Sequence, residues 1–195
     1  MVVAELRGRG WDVVSLSRRE GCDVSDEAQV QRAFERIESL DALINGAAQL
    51  IKRPILELTA ADWDAQVDAG LRGAFLCSRE AFRLMRKSGG SIVMVSSLSG
   101  VQGAEKFPGM AAYMATKSGL AGLTEALAVE GRPRGIRVNA ISPGAVDTPM
   151  LRIAGVEGPR LQPAEVARII VWLASPESAP LSGSNLRLDP TDRAT

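Results

Sequence analysis

The stretch Ser91–Lys117 combines an apolar run, a glycine-containing loop and a run of small residues in immediate succession. The apolar run predicts a buried strand, and Ser97 would lie just beyond its carboxyl end. The small residues from Ala111 onward predict a helix that carries Tyr113 and Lys117. Because residues four apart share a helix face, these two side chains would lie next to each other.

These residue types suit alcohol–carbonyl interconversion. A phenol titrates near ~10, and a neighbouring ammonium favours the phenolate, so Lys117 is expected to lower the pKa of Tyr113. Ser97 could donate a hydrogen bond to the substrate oxygen while Tyr113 transfers the proton. The hydride would have to come from a nicotinamide cofactor. The alternative interpretation is that Tyr-x-x-x-Lys is an ordinary pair on a helix surface.

The surrounding pattern favours the catalytic interpretation. The pair follows a strand that ends in Ser-Ser-x-x-Gly and precedes the strand and turn RVNAISPGAVDTPM at Arg137–Met150. This combination resembles the short-chain dehydrogenase/reductase family, whose catalytic Ser, Tyr and Lys fall on Ser97, Tyr113 and Lys117. The resemblance covers about Val2 to Asp189. It implies an oxidoreductase that acts on a small carbonyl or secondary alcohol.

Strands alternating with helices predict one doubly wound, Rossmann-like α/β domain over residues 1–195, with a mostly parallel sheet. The first expected strands are Trp11–Leu16 and Leu40–Asn45. In the family, a further strand and a Gly-rich phosphate-binding turn precede the helix at Val2–Arg9, and that strand lies in the middle of the sheet. Without it, two strand edges would be unpaired. Three explanations for the missing strand and turn are ranked in this order: the start codon is misassigned, the chain is a genuine fragment, or the sheet is rearranged.

The resemblance also implies a cofactor site. Ser17 stands where NAD-preferring relatives have an acidic residue, and Arg18 and Arg19 follow it, so NADP(H) is expected in preference to NAD(H), with NAD(H) possible. A solvated arginine pair on a loop is the alternative. The expected cofactor contacts are Ser17, Arg18, Asp23, Val24, Asn45, Ala47, Tyr113, Lys117, Pro143, Gly144, Val146 and Thr148.

One departure from the family pattern concerns proton transfer. Gly70 occupies the position of the family's fourth catalytic residue, an Asn that helps hold a water near the Lys. The proton relay is therefore in question, although a water could occupy the space of the missing side chain.

Composition excludes several other kinds of function. Equal numbers of acidic and basic residues give a formal net charge of +0, so no nucleic-acid or membrane partner is expected. The absence of histidine removes histidine bases and most zinc sites, and no metal is expected. Cys22 and Cys77 form no redox motif, which fits a reduced cytoplasmic setting.

Two functions remain open. The first is an NADP(H)-dependent oxidoreductase, a homodimer or homotetramer if the small residues of the Tyr113 helix join a subunit interface as in relatives. The second is a non-catalytic or fragmentary relative with impaired cofactor binding that acts as an interaction subunit. The absent Gly-rich turn, Gly70 and the altered sequence Asn-Gly-Ala-Ala at residues 45–48 favour the second.

Overall fold

A four-stranded parallel sheet forms the centre of the fold, with the strands adjacent in chain order. The computed structural model describes residues 1–190. The strands are Ala42–Asn45 (β1), Gly90–Val95 (β2), Ile136–Pro143 (β3) and Asn185–Leu188 (β4). In register, Ala42 lies opposite Ser91, Gly90 opposite Ile136, and Ala140 opposite Asn185.

Helices cover both faces of this sheet. The helices α4 (Gly73–Leu84) and α5 (Ala111–Gly131) pack on one face, α7 (Pro163–Ala174) packs on the other, and α1 (Val2–Gly8) packs on α7. This is the expected Rossmann-like α/β architecture. The helices are Val2–Gly8 (α1), Glu27–Phe34 (α2), Ala60–Val67 (α3), Gly73–Leu84 (α4), Ala111–Gly131 (α5), Pro149–Ala154 (α6) and Pro163–Ala174 (α7).

The alternation of side chains along β2 divides the core into two layers. Ile92 and Met94 are fully buried in the cluster that includes α4 and α5, whereas Val93 is fully buried in the cluster that includes α7. Successive residues of a strand point to opposite faces, so an uninterrupted apolar run is what a strand buried on both faces requires. The carboxyl end of β2 is therefore fixed by packing from both sides.

Local capping is partly as the sequence predicts. The spacing Thr59-x-x-Asp62 predicts a capping box, and the two residues form one at the start of α3. The residue type of Ser25 predicts that it caps α2, but Asp26 does so by accepting a hydrogen bond from the Gln29 amide. The Ser25 side chain instead donates to Asp23.

The segment Trp11–Leu16 does not form the predicted strand. It faces β1 across a cavity of about 1580 Å³, and β1 pairs only with β2 among the described residues. An apolar sequence becomes a strand only where a neighbouring backbone lies within hydrogen-bonding distance. One of the two expected unpaired edges, that of β1, is thus present in the structure, beside a cavity.

A single π-helical turn at Asp68–Arg72 joins α3 to α4 and contains the buried Gly70. A Cβ added at Gly70 would lie 2.5 Å from the Cγ2 methyl of Thr116 on α5. The expected space for a water is therefore taken by Thr116, whose hydroxyl donates to Ala112 O at 2.8 Å. Thr116 is thus part of the reason why this position holds glycine.

We predict that Gly70→Ala destabilises the fold by about 1–3 kcal/mol, because the added methyl overlaps Thr116 Cγ2. Thr116→Ser deletes that methyl and keeps a hydroxyl, so the double variant should recover most of the loss. Gly122→Ala on α5 is the control, since its Cβ would meet no atom within 4 Å and should stabilise the helix. Urea unfolding measures all four proteins, and a stabilising Gly70→Ala would contradict the prediction.

Candidate active site

The close approach of α5 to the end of β2 positions the predicted catalytic side chains. A Cβ at Gly100 would lie 2.5 Å from the backbone carbon of Lys117, so only glycine allows this contact. Ser96 Oγ donates to Lys117 O at 2.8 Å, and Lys117 Nζ donates to Val95 O at 2.6 Å. Strand and helix are therefore joined by hydrogen bonds in both directions.

Ser97, Tyr113 and Lys117 are brought together by this packing. The Ser97 hydroxyl is a hydrogen-bond partner of the Tyr113 phenol, and Lys117 Nζ lies 5.6 Å from the centroid of the Tyr113 ring. Lys117 is 2% exposed, and burial lowers its pKa from 10.5 to about 8. A buried phenol and a buried amine beside the half-buried Ser97 hydroxyl are suited to moving a proton to or from a substrate oxygen.

The effect on Tyr113 differs from the expected one. Burial raises the pKa of Tyr113 above its ordinary value, and the hydrogen bond with Ser97 offsets this only in part. The free energy lost when a phenolate is removed from water is larger here than the stabilisation that the neighbouring groups give to it. In this state of the protein Tyr113 is therefore a neutral phenol, ready to donate a proton.

An apolar cluster surrounds Tyr113, and sequence reasoning missed it. Its members come from three separate segments, so no local periodicity could have marked them. They form one apolar wall around the phenol. The members that join Tyr113 are Leu50, Met110 and Ala154, with Phe107, Met114, Met150 and Val156 packed against them.

The expected cofactor contacts separate into two groups. Six of them line the cavity beside β1, namely Ser17, Arg18, Asp23, Val24, Asn45 and Ala47. The other loop residues follow or end β3: Pro143, Gly144, Val146 and Thr148. Gly144 packs against Leu98, the residue after Ser97, because a Cβ there would lie 3.1 Å from Leu98 Cδ1. Gly144 of the second group therefore lies close to the predicted catalytic Ser97.

The residues at the cavity fit the adenosine half of a nicotinamide dinucleotide. A hydroxyl, a guanidinium and a carboxylate at Ser17, Arg18 and Asp23 are the groups that recognise ribose and phosphate oxygens. Val24 adds an apolar surface for a base. Hydrogen bonds from the Ser25 hydroxyl and amide hold the pKa of Asp23 below its usual range, so its carboxylate is ionised.

Glu20 is an acidic residue at this site that sequence reasoning missed. Its carboxylate accepts hydrogen bonds from Ser17 Oγ at 2.5 Å and Ser15 Oγ at 2.8 Å. These two bonds lower the pKa of Glu20, so it is a carboxylate at neutral pH. The turn Arg18–Glu20 creates the contact by folding the chain back, which spacing alone did not indicate.

Two negative findings limit the kinds of site. In residues 1–190, no three His, Cys, Asp or Glu side chains cluster in a way that could hold a metal ion. No helix in the same range has the length and apolar character needed to cross a membrane.

Comparison with known proteins gives consistent matches over most of the chain. A family profile described as Enoyl-(Acyl carrier protein) reductase matches residues 15–190. A 3beta-hydroxysteroid dehydrogenase of Mediterraneibacter gnavus is 42% identical over 162 residues, which cover 77% of this chain and 58% of the relative. A Cyclopentanol dehydrogenase of Comamonas sp. is 35% identical over 205 residues, covering 96% of this chain and 79% of the relative.

A solved structure of a short chain dehydrogenase/reductase family protein superimposes with a TM-score of 0.80 at 30% identity, covering 89% of this chain and 76% of that one. The chain thus spans 58% of the hydroxysteroid dehydrogenase and 72% or more of three further curated relatives. The solved structure agrees with the parallel, Rossmann-like α/β fold. The chain belongs to the short-chain dehydrogenase/reductase family.

Proposed function

We propose that the chain is an oxidoreductase that interconverts a carbonyl and a secondary alcohol with NADP(H) as the hydride carrier. The observation that carries the proposal is the convergence of Ser97, Tyr113 and Lys117 at the carboxyl end of β2. The three are held there by the Ser96–Lys117 and Lys117–Val95 hydrogen bonds.

When bound, a nicotinamide cofactor would supply the hydride that the carbonyl carbon receives in the reductive direction. Tyr113 donates its phenolic proton to the carbonyl oxygen and becomes a phenolate. Ser97 donates a hydrogen bond to the same oxygen, which orients it and favours the charge that develops on it. Lys117, while charged, stabilises the phenolate until a proton returns. In the oxidative direction the phenolate accepts the proton from the alcohol.

The substrate class is a carbonyl or alcohol on an apolar skeleton. The cluster of Leu50, Met110 and Ala154 around Tyr113 supports this, because an apolar wall gains most from apolar ligand surface. Relatives whose names specify hydroxysteroid or cyclopentanol substrates provide independent support.

NADP(H) is the proposed cofactor because Arg18 at the cavity offers a guanidinium to a ribose 2′-phosphate. Glu20 opposes this preference. Its carboxylate accepts the hydrogen bond that the Ser17 hydroxyl could donate to the cofactor, and its negative charge repels an added phosphate. The balance between the two side chains would set the cofactor preference. The buried free thiols of Cys22 and Cys77 support a reducing, cytoplasmic setting.

Self-association is part of the proposal. An apolar groove runs between α5 and the segment Val67–Phe75, and Phe75, which lines it, is 45% exposed. Its lining, which includes Leu71, Gly119 and Leu123, would gain from burial against a second copy. A homodimer or homotetramer would cover this groove.

A second candidate function is a non-catalytic interaction subunit, and the unpaired edge of β1 favours it. The two candidates differ in a simple observation. Steady oxidation of NADPH with any carbonyl substrate supports the oxidoreductase and excludes the interaction subunit.

Replacement of the proton donor tests the mechanism directly. We predict that Tyr113→Phe lowers kcat by about 10²–10⁴-fold with the fold intact, because the ring is kept and only the hydroxyl is lost. NADPH oxidation with cyclopentanone as trial substrate measures the rate, and circular dichroism checks the fold. A wild-type rate in this variant would exclude the proposed mechanism.

Cofactor preference is tested by calorimetric titration with NADPH and NADH. Arg18→Met should weaken NADPH binding about fivefold to tenfold and leave NADH unchanged, because only the 2′-phosphate is lost as a partner. Glu20→Gln should tighten NADPH selectively. Arg19→Met is the matched control, since Arg19 is exposed and does not line the cavity. Equal effects of the Arg18 and Arg19 variants on NADPH would contradict the assignment.

The low pKa of Lys117 predicts a pH-dependent stability. Between about pH 8 and 10.5, Lys117 binds more protons in the unfolded chain than in the folded chain. The free energy of unfolding of wild type therefore rises with pH in this range, because the penalty for burying the charged lysine disappears. Lys117→Met should therefore be more stable than wild type below pH 8 by about 1–2 kcal/mol, after allowance for the lost bond to Val95 O.

This advantage of the methionine variant should shrink as the pH rises from about 8 toward 10.5, while activity is lost at every pH. Thermal unfolding at several pH values measures the difference. Lys87→Met, at an exposed lysine, is the control and should show no such trend. A Lys117→Met variant that is less stable than wild type at pH 6 would contradict the burial argument.

A further inference from the structure

Residues 148–160, here called the flap, leave the body of the protein through a narrow neck. Two backbone hydrogen bonds close this neck, from the Leu161 amide to Ala145 O at 2.8 Å and from the Asp147 amide to Leu161 O at 3.0 Å. Between them lies the short helix α6, which ends at Ala154 and is followed by Gly155 with a φ of +62°. A segment joined at one end by so few bonds needs a second attachment to hold a fixed position.

The inner side of the flap contributes to the wall around the proposed proton donor. Met150, Ala154 and Val156 belong to the apolar cluster that contains Tyr113 and Leu50. Tyr113 is 9% exposed in this arrangement. The burial that raises the pKa of its phenol therefore includes flap side chains.

Lys52 adds a polar attachment to this apolar packing. Its Nζ donates to Ala154 O at 2.7 Å, at the carboxyl end of α6. The last carbonyls of a helix lack intrahelical partners, and a cation is favoured there. The atoms of Lys52 also lie close to two left-handed glycines, with Nζ 3.5 Å from a Cβ built on Gly155 and Cγ 3.2 Å from one built on Gly109.

The segment that carries Lys52 is itself firmly held. The Ile51 amide donates to the buried Gln66 side chain at 3.0 Å, and the Arg53 amide donates to Gly109 O at 2.9 Å. Arg53 also forms an ion pair with Asp62 at 3.0 Å. Lys52 therefore connects a flap with few attachments to a segment with several.

We propose that Lys52 is a positioning residue that fastens the flap over Tyr113 and thereby keeps the phenol shielded from water. The proposal deepens the proposed function, on which its role in turnover rests. Lys52 does not touch the reacting atoms; it acts through the position of α6. An open flap would expose the phenol and remove part of the apolar wall that receives the substrate.

The chain contains a single tyrosine, so a tyrosine-specific reagent reports on Tyr113 alone. We expect nitration by tetranitromethane to be about tenfold faster in Lys52→Met than in wild type, because a charge-assisted hydrogen bond is lost. Lys52→Arg, which keeps a cation, should restore most of the shielding. Lys106→Met is the matched control, since Lys106 also donates to loop carbonyls, those of Ser99 and Val101, without contacting the flap.

Amide hydrogen exchange on the same proteins locates the effect. Peptides covering residues 149–156 should exchange about tenfold faster in Lys52→Met, while peptides from β2 and α7 stay unchanged. Wild-type nitration and exchange rates in Lys52→Met would overturn the proposal. Faster exchange in β2 and α7 as well would also overturn it, because the lysine would then stabilise the whole fold.

Turnover separates this proposal from the function on which it rests. If wild type reduces cyclopentanone, Lys52→Met should raise KM about tenfold and change kcat little, because the chemical groups are intact. An unchanged KM would overturn the positioning role. If wild type shows no turnover, the proposed function fails, and the nitration and exchange results alone decide whether Lys52 shields Tyr113.

Discussion

The contact between α5 and the carboxyl end of β2 is the constraint on which the rest of the site depends. Gly100 allows the helix backbone to approach within a distance that no Cβ permits, and the Ser96 and Lys117 hydrogen bonds then hold the two elements together. Because Tyr113 and Lys117 are four residues apart on α5, one rigid contact orients both. The end of β2 is itself held in place, because side chains on both of its faces pack in the core.

The same packing places a cation and a phenol where water is largely excluded, and this has a cost. Burial favours the neutral forms of both Lys117 and Tyr113, which lowers one pKa and raises the other. A protein selected for stability alone would fill these positions with apolar residues, because an unpaired buried charge is expensive. The cost of burying both groups is what we expect if the proposed function requires them to hold and transfer a proton.

Sequence reasoning was most successful where the determining contacts are local. The strand at β2 and the helix face of Tyr113 and Lys117 follow from periodicities of two and 3.6, and the capping box at Thr59 follows from a spacing of three. It was wrong for Trp11–Leu16, because a strand also needs a partner backbone. It could not foresee that Thr116 fills the space above Gly70, since the two residues meet only through the packing of α5 on the π-helical turn. The apolar wall around Tyr113 was missed for the same reason.

The edge of β1 that has no partner strand within residues 1–190 would couple stability to the proposed cofactor binding. The cavity runs along this strand, with Gly73 and Ala74 of α4 on one side and Ile170 of α7 on the other. It therefore reaches from the helices on one face of the sheet to the helix on the other face, and is deeper than a surface groove. Backbone groups at such an edge must find polar partners or lose free energy. Six of the predicted cofactor contacts line this same cavity, and Asn45 belongs both to β1 and to that set. Whatever orders the edge of β1 would therefore also preorganise the proposed cofactor site, and cofactor binding there would stabilise the edge by the same free energy.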